Sequence, residues 1–163
     1  MNWQTELQTA FKDSRSLANF LDIDLPPAKF PIFIPKKIAE QIKKSGKDSP
    51  LWNQYIPDKR EQDELGTTNP IGDLEHAKHG QIIHRYNNRA LLLPTSICPI
   101  HCRYCFRQNE IEDEPSLFKK DLSSISAYLE KHSGICEIIF SGGDPFILSD
   151  QRLSEYVEML SQI

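Results

Sequence analysis

The chain has 163 residues, 4 cysteines, 11 prolines against 7 glycines, and a formal net charge of -4 at pH 7, which is enough length for one ordinary domain with a real core. That charge gives no electrostatic case for nucleic acid or an anionic membrane as partner, and no apolar run approaches the length that spans a bilayer. With no leader-like segment, internal repeat or low-complexity tract in view, the sequence reads as that of a cytoplasmic protein with open thiols.

Trp3, Leu7, Ala10 and Phe11 recur at helical spacing, and Leu17, Phe20 and Leu21 repeat the pattern after Asp13-Ser14, predicting two short amphipathic helices that end at Leu25-Pro26-Pro27. Pro35 suits the first position of a helix running to Lys44, with Ile38 and Ile42 inward and Ser45-Gly46 as its stop. Trp52, Tyr55 and Ile56 predict one more short helix. From Pro57 to Gly80 the sequence is polar without a steady period, a long irregular connection of the kind that is either functional or disordered. Residues 1–81 are thus expected to form a helical and irregular N-terminal region.

The pattern changes at Ile82. Ala90-Leu91-Leu92-Leu93, bounded by Asn87-Asn88 and Pro94, predicts a strand buried on both faces, and a cysteine-rich loop follows it directly. Phe118, Leu122, Ile125 and Leu129 trace one helical stripe over about Ser116 to His132, closed by Gly134. Ile135 to Phe140 predicts a second buried strand, Ser141 to Phe146 its turn, and Ser149 the N-cap of a helix carrying Leu153, Tyr156, Val157 and Leu160. Strand, loop and helix, twice over, predict an α/β fold over residues 82–163: the first βα units of a (β/α) barrel, with the chemistry at the C-terminal ends of its strands. Two strands cannot close a barrel, and the last helix is still apolar-periodic at Ile163, so the expectation is the N-terminal part of a longer enzyme.

Cys98, Cys102 and Cys105 fall within eight residues as Cys-Pro-Ile-His-Cys-Arg-Tyr-Cys. A 4Fe-4S cluster takes one thiolate on each of its four irons, so three cysteines on one loop would hold a cluster and leave one iron open to a small chelating molecule. A structural zinc site is the competing reading and needs a fourth ligand, for which His101, His84 and Cys136 are the candidates. His101 directly precedes Cys102. Cys136 opens its predicted strand while the Gly142-Gly143 turn closes it, roughly 15–20 Å away, so Cys136 reads better as a small buried hydrophobe.

The triplet with Tyr104 before its third cysteine resembles the signature of radical S-adenosylmethionine (SAM) enzymes, and Ser141-Gly142-Gly143-Asp144-Pro145 resembles the turn with which that superfamily meets the SAM amino group. Asn69-Pro70-Ile71-Gly72-Asp73 and the run from Gly80 through His84-Arg85-Tyr86-Asn87-Asn88-Arg89 to Leu93 are similar to the approach to the cluster loop in lysine 2,3-aminomutases. The phrase Cys-Arg-Tyr-Cys-Phe-Arg looks most like the bacterial branch that makes β-lysine for attachment to elongation factor P. Asn87-Asn88 departs from the family's Pro-Asp, and Cys105-Phe106-Arg107 from its Cys-Thr-Arg.

The resemblance implies that Cys98, Cys102 and Cys105 hold the 4Fe-4S cluster, that Gly142, Gly143 and Asp144 line the methionine end of SAM, and that Tyr104 packs near the adenine. It implies that Arg85 and Arg89 meet the phosphate of pyridoxal 5'-phosphate (PLP) and that Arg107 meets the substrate carboxylate, although without it each arginine is an ordinary solvated charge. The implied reaction moves the amino group of L-lysine from C2 to C3, and the β-lysine formed would pass to a ligase acting on elongation factor P. The lysine that would hold PLP belongs to the family's C-terminal portion, so the 163-residue chain alone is expected to be inactive. A radical SAM enzyme without PLP, and a non-catalytic iron-sulfur or zinc module, remain open as alternatives.

Overall fold

A computed structural model describes residues 3–63, 66–78 and 81–163. Glu64, Leu65, His79 and Gly80, part of the predicted irregular connection, lie outside the described residues. The chain divides into two compact units, Met1–Gly66 with Pro99–Cys105, and Thr67–Cys98 with Phe106–Ile163. Residues 67–78 belong to the second unit and the cysteine-bearing stretch 99–105 to the first.

The first unit holds helices α1 (Trp3–Gln8), α2 (Ser14–Leu21), α3 (Lys36–Ser45) and α4 (Pro50–Tyr55). Their starts follow local chemistry: the Asp13 carboxylate accepts the Ser16 N–H, and the Ser49 hydroxyl accepts the Trp52 N–H ahead of Pro50. Leu17, Leu21, Ile32, Ile34, Ala39, Ile42 and Ile56 form the core. Phe11 leaves the helical pattern that its spacing predicts, because its backbone pairs with Ile34 in an isolated antiparallel bridge.

The second unit carries α5 (Asp73–His76), β1 (Ile82–Tyr86), β2 (Arg89–Leu92), α6 (Gln108–Asp113), α7 (Leu122–Glu130), β3 (Glu137–Phe140) and α8 (Asp150–Leu160). Its sheet has the order β1-β2-β3, with β1 antiparallel to β2 and β2 parallel to β3. The parallel pair flanking the cysteine loop and α7 matches the expected βα order, and α8 starts where expected, with the Ser149 hydroxyl accepting the Arg152 N–H. Among the described residues the sheet has three strands in a mixed α/β arrangement, and no closed barrel is formed.

Three features differ from the sequence reading. Ile82–Tyr86 is a strand, hairpinned onto β2 through Asn87-Asn88, a turn pair that does double duty as the boundary of the apolar run. The helix predicted over 116–132 is split: Pro115–Phe118 is a 3-10 turn, and α7 begins only at Leu122. The break is at Asp121, whose carboxylate accepts the Ser124 N–H and hydroxyl and is thereby held down at about 2. Finally, β3 is not buried on both faces, since Glu137 and Ile139 are exposed.

The period-2 alternation of the strands sorts their side chains onto two faces. Ile82, Ala90, Leu92, Ile138 and Phe140 pack with Ile125, Leu129 and Tyr156 of α7 and α8. Ile83, Arg85, Arg89, Leu91 and Ile139 belong to the opposite face and border a cavity there. Among the described residues no helix is long and apolar enough to cross a membrane.

Candidate functional site

The Gly-Gly turn and the residues entering the cysteine loop leave neighbouring parallel strands at the same end. Leu92 pairs with Phe140, the Ser141 N–H donates to the Leu92 carbonyl (2.9 Å), the Gly143 N–H to Thr95 (2.8 Å) and the Asp144 N–H to Ile97 (2.9 Å). Gly142 has φ of +101°, and a Cβ there would lie 2.5 Å from the Thr95 carbonyl oxygen; one on Gly143 would run into the Ile97 carbonyl. Only a double glycine allows the turn to lie this flat on the backbone preceding Cys98. Cys136 is at the other end of the pair, its N–H on the Asn88 carbonyl, but it is exposed and not the small buried hydrophobe expected, because it precedes β3 at the open end of the strand.

Within the first unit the rest of the cysteine loop is fastened by the residues between its thiols. The Arg103 guanidinium grips both oxygens of Glu61 (3.0 and 2.5 Å) and donates to the Phe30 carbonyl (2.8 Å), while its backbone N–H donates to Gln54 (2.8 Å). His101 is turned to the Pro31 carbonyl (2.9 Å) and stacks on Phe30. The Gln54 side-chain N–H groups reach the Tyr55 hydroxyl (2.8 Å) and the Cys102 sulfur (3.8 Å). Tyr104 is exposed, and partial desolvation together with the neighbouring Cys102 thiol raises its phenol above the ordinary value.

Cys98, Cys102 and Cys105 are partly exposed and none is in a disulfide. Soft sulfur donors on one loop suit an iron-sulfur cluster. Among the described residues no group of three or more His, Cys, Asp or Glu side chains is gathered for a metal ion. Of the candidates for a fourth zinc ligand, His101 is held by Pro31 and His84 by the Tyr128 hydroxyl (2.8 Å), and Cys136 lies beside Asn88.

Arg85 and Arg89 lie on the sheet face turned away from α7 and α8, where they line a cavity of about 220 Å³ with Ile71, Asp73, Ile83 and Ile139. Arg89 also pairs with Glu137 (3.8 Å) and lies over the Tyr86 ring. Arg107, by contrast, is buried. Its Nε donates to Glu110 (3.1 Å), its Nη1 to Ser141 (2.9 Å) and its Nη2 to Asp73, and all three ionisable groups are 3% exposed or less. Burial, stronger than the pull of Arg107, raises the Glu110 carboxyl, whose Oε1 has no hydrogen-bond partner.

Asp73, Glu110, Glu61 and Gln54 carry this geometry and were not singled out as site residues by sequence reasoning. Asp73 had a signal in the Asn69-Pro70-Ile71-Gly72-Asp73 motif, where the Asn69 side chain accepts the Asp73 N–H and starts α5. Gln54 and Glu61 act across 48 and 42 residues and had none.

The 4Fe-4S single cluster domain family matches residues 88–163, a stretch that contains all four cysteines and the Gly-Gly turn. L-lysine 2,3-aminomutase of Haemophilus influenzae is 31% identical over 172 residues, covering 99% of this chain and 51% of that protein. The Escherichia coli enzyme of the same name is 31% identical over 176 residues, covering 99% and 50%. This chain belongs to the radical SAM, lysine 2,3-aminomutase-like family. An aminomutase of Methanococcus maripaludis extends the family likeness at 28% identity over 99% of the chain and 41% of its own length. The chain spans about half the length of the curated aminomutases it matches.

Proposed function

We propose that this chain is the cluster- and SAM-binding part of a lysine 2,3-aminomutase, a cytoplasmic enzyme that converts L-lysine to β-lysine with PLP as second cofactor. The observation that carries this reading is the backbone bonding of Gly143 and Asp144 to Thr95 and Ile97, which sets the Gly-Gly turn beside the start of the cysteine loop. Cys98, Cys102 and Cys105 would hold the cluster, Gly142, Gly143 and Asp144 the methionine end of SAM, and Tyr104 the adenine. Bound there, the cluster and SAM supply a carbon radical able to take a hydrogen atom from an unactivated position. The sheet that carries both motifs is read as the opening of a (β/α) barrel, its Ile83, Leu91 and Ile139 face turned inward.

Arg85 and Arg89 are assigned to the PLP phosphate. Arg107 is assigned to the substrate carboxylate under a condition that its burial sets: the incoming carboxylate must replace one of its present partners. Glu110 is the one that yields, since a carboxyl with a raised pKa and an unbonded oxygen is the weaker holder. Passage of β-lysine to a ligase acting on elongation factor P follows from the sequence resemblance to that bacterial branch.

The test is lysine turnover by the protein produced from its complete gene, reconstituted anaerobically with iron, sulfide, SAM and PLP and followed by NMR with ¹³C-labelled lysine. β-Lysine should form, and the Arg85→Ala, Arg89→Ala double variant should lose PLP retention while keeping its iron. Reductive SAM cleavage with no PLP bound and no β-lysine would point to a radical SAM enzyme of another kind.

A further inference from the structure

We propose that Gln54 is a positioning residue for the iron-sulfur cluster: its carboxamide N–H donates to the Cys102 sulfur and raises the reduction potential of the cluster bound there. The inference rests on the cluster reading and adds to it a residue 48 positions upstream of the thiol it serves. Gln54 lies on α4, whose start is fixed by Ser49 and Pro50. Its backbone carbonyl accepts the Arg103 N–H at 2.8 Å, and Arg103 is in turn clamped by both oxygens of Glu61 and by the Phe30 carbonyl. The residue after Cys102 is therefore tied to the residue whose side chain faces Cys102, and the carboxamide cannot drift from the sulfur without breaking that tie.

Nε2 reaches the Tyr55 hydroxyl at 2.8 Å and the Cys102 sulfur at 3.8 Å, with the Tyr104 hydroxyl beside both Gln54 and Cys102. A metal-bound thiolate only accepts hydrogen bonds, which selects the NH2 over the oxygen of the carboxamide for the side facing it. Gln54, Tyr55 and Cys102 are each half-buried, so a hydrogen bond there is screened less than in bulk water. Reduction adds one negative charge to the cluster, shared by its sulfurs, so an N–H donor at a ligating sulfur stabilises the reduced form more than the oxidised one.

The experiment is an EPR-monitored redox titration of the anaerobically reconstituted full chain, wild type against Gln54→Leu and Gln54→Glu, with iron content measured alongside. Gln54→Leu removes the donor at similar volume and should disfavour reduction on the order of tenfold, about 59 mV for a one-electron couple. Gln54→Glu sets an oxygen against the sulfur and should lower the potential further. Pulsed EPR in deuterated buffer should show an exchangeable deuteron coupled to the cluster in wild type that is absent in Gln54→Leu, a signal that a purely structural role would not move. Unchanged potentials at full iron loading, or a deuteron coupling that survives Gln54→Leu, would overturn the role of Gln54 and leave the cluster reading standing. A wild-type chain that takes up no iron-sulfur cluster would overturn both.

Discussion

Replacing Asp73 by alanine is expected to destabilise the second unit by about 3–5 kcal/mol, the cost of removing one partner from a buried ion pair. Arg107 would keep its charge at 2% exposure with Glu110 as its remaining acid, and Glu110 is a poor substitute because burial already favours its neutral form. The effect should be local, seen as lost hydrogen-exchange protection in residues 67–98 and 106–163, with protection retained around α2 and α3. Arg60→Ala is the reference: its side-chain pair with Asp58 is solvent-exposed and short-range, so the unfolding midpoint should stay in place. An Asp73→Ala protein as stable as wild type would mean that the Asp73–Arg107 pair does not form in solution.

Gly143→Ala should do damage out of proportion to the single methyl it adds. The added Cβ runs into the Ile97 carbonyl and close to the Ser96 backbone, and backbone cannot swing aside as the end of a side chain can. The cost is about 3 kcal/mol by analogy with overpacked cores, or else the turn lifts from the strand end and takes Asp144 with it. Either result should abolish SAM binding by the reconstituted protein, measured by equilibrium dialysis, while cluster content persists. Gly134→Ala is the control, since its Cβ would meet only the Asn87 carbonyl at 3.4 Å, and SAM binding should be unaltered. Wild-type SAM affinity in Gly143→Ala would remove this turn from the SAM site.

Much of this arrangement is legible in the sequence where the signal is local. β2 announces itself as an apolar run ending at a proline, α3 and α8 by their caps, and the Gly-Gly turn by the strand it follows. β1 is harder to see because only Ile82 and Ile83 at its start are buried, while Arg85 and Tyr86 face solvent. The 116–132 stripe misleads because Phe118 keeps helical phase with Leu122 across a break that Asp121 enforces by capping. Arg107 shows the limit best. Its contacts with Asp73 and Ser141 each span 34 residues in opposite directions along the chain, so nothing near it in sequence distinguishes a buried, triply bonded guanidinium from a surface one. The same holds for Gln54 and Glu61, whose partners come from a loop that folds back onto the first unit.

The central claim, three thiolates and one open iron, is tested most directly by iron and sulfide analysis of four single variants after anaerobic reconstitution, with EPR of the reduced protein before and after SAM is added. Cys98→Ala, Cys102→Ala and Cys105→Ala should each lose the 4Fe-4S cluster, whereas Cys136→Ala should load fully and show an EPR signal that changes when SAM chelates the open iron. Loss of the cluster in Cys136→Ala would mean a fourth protein ligand and no open iron, and a colourless protein with zinc on the triplet would contradict the claim outright.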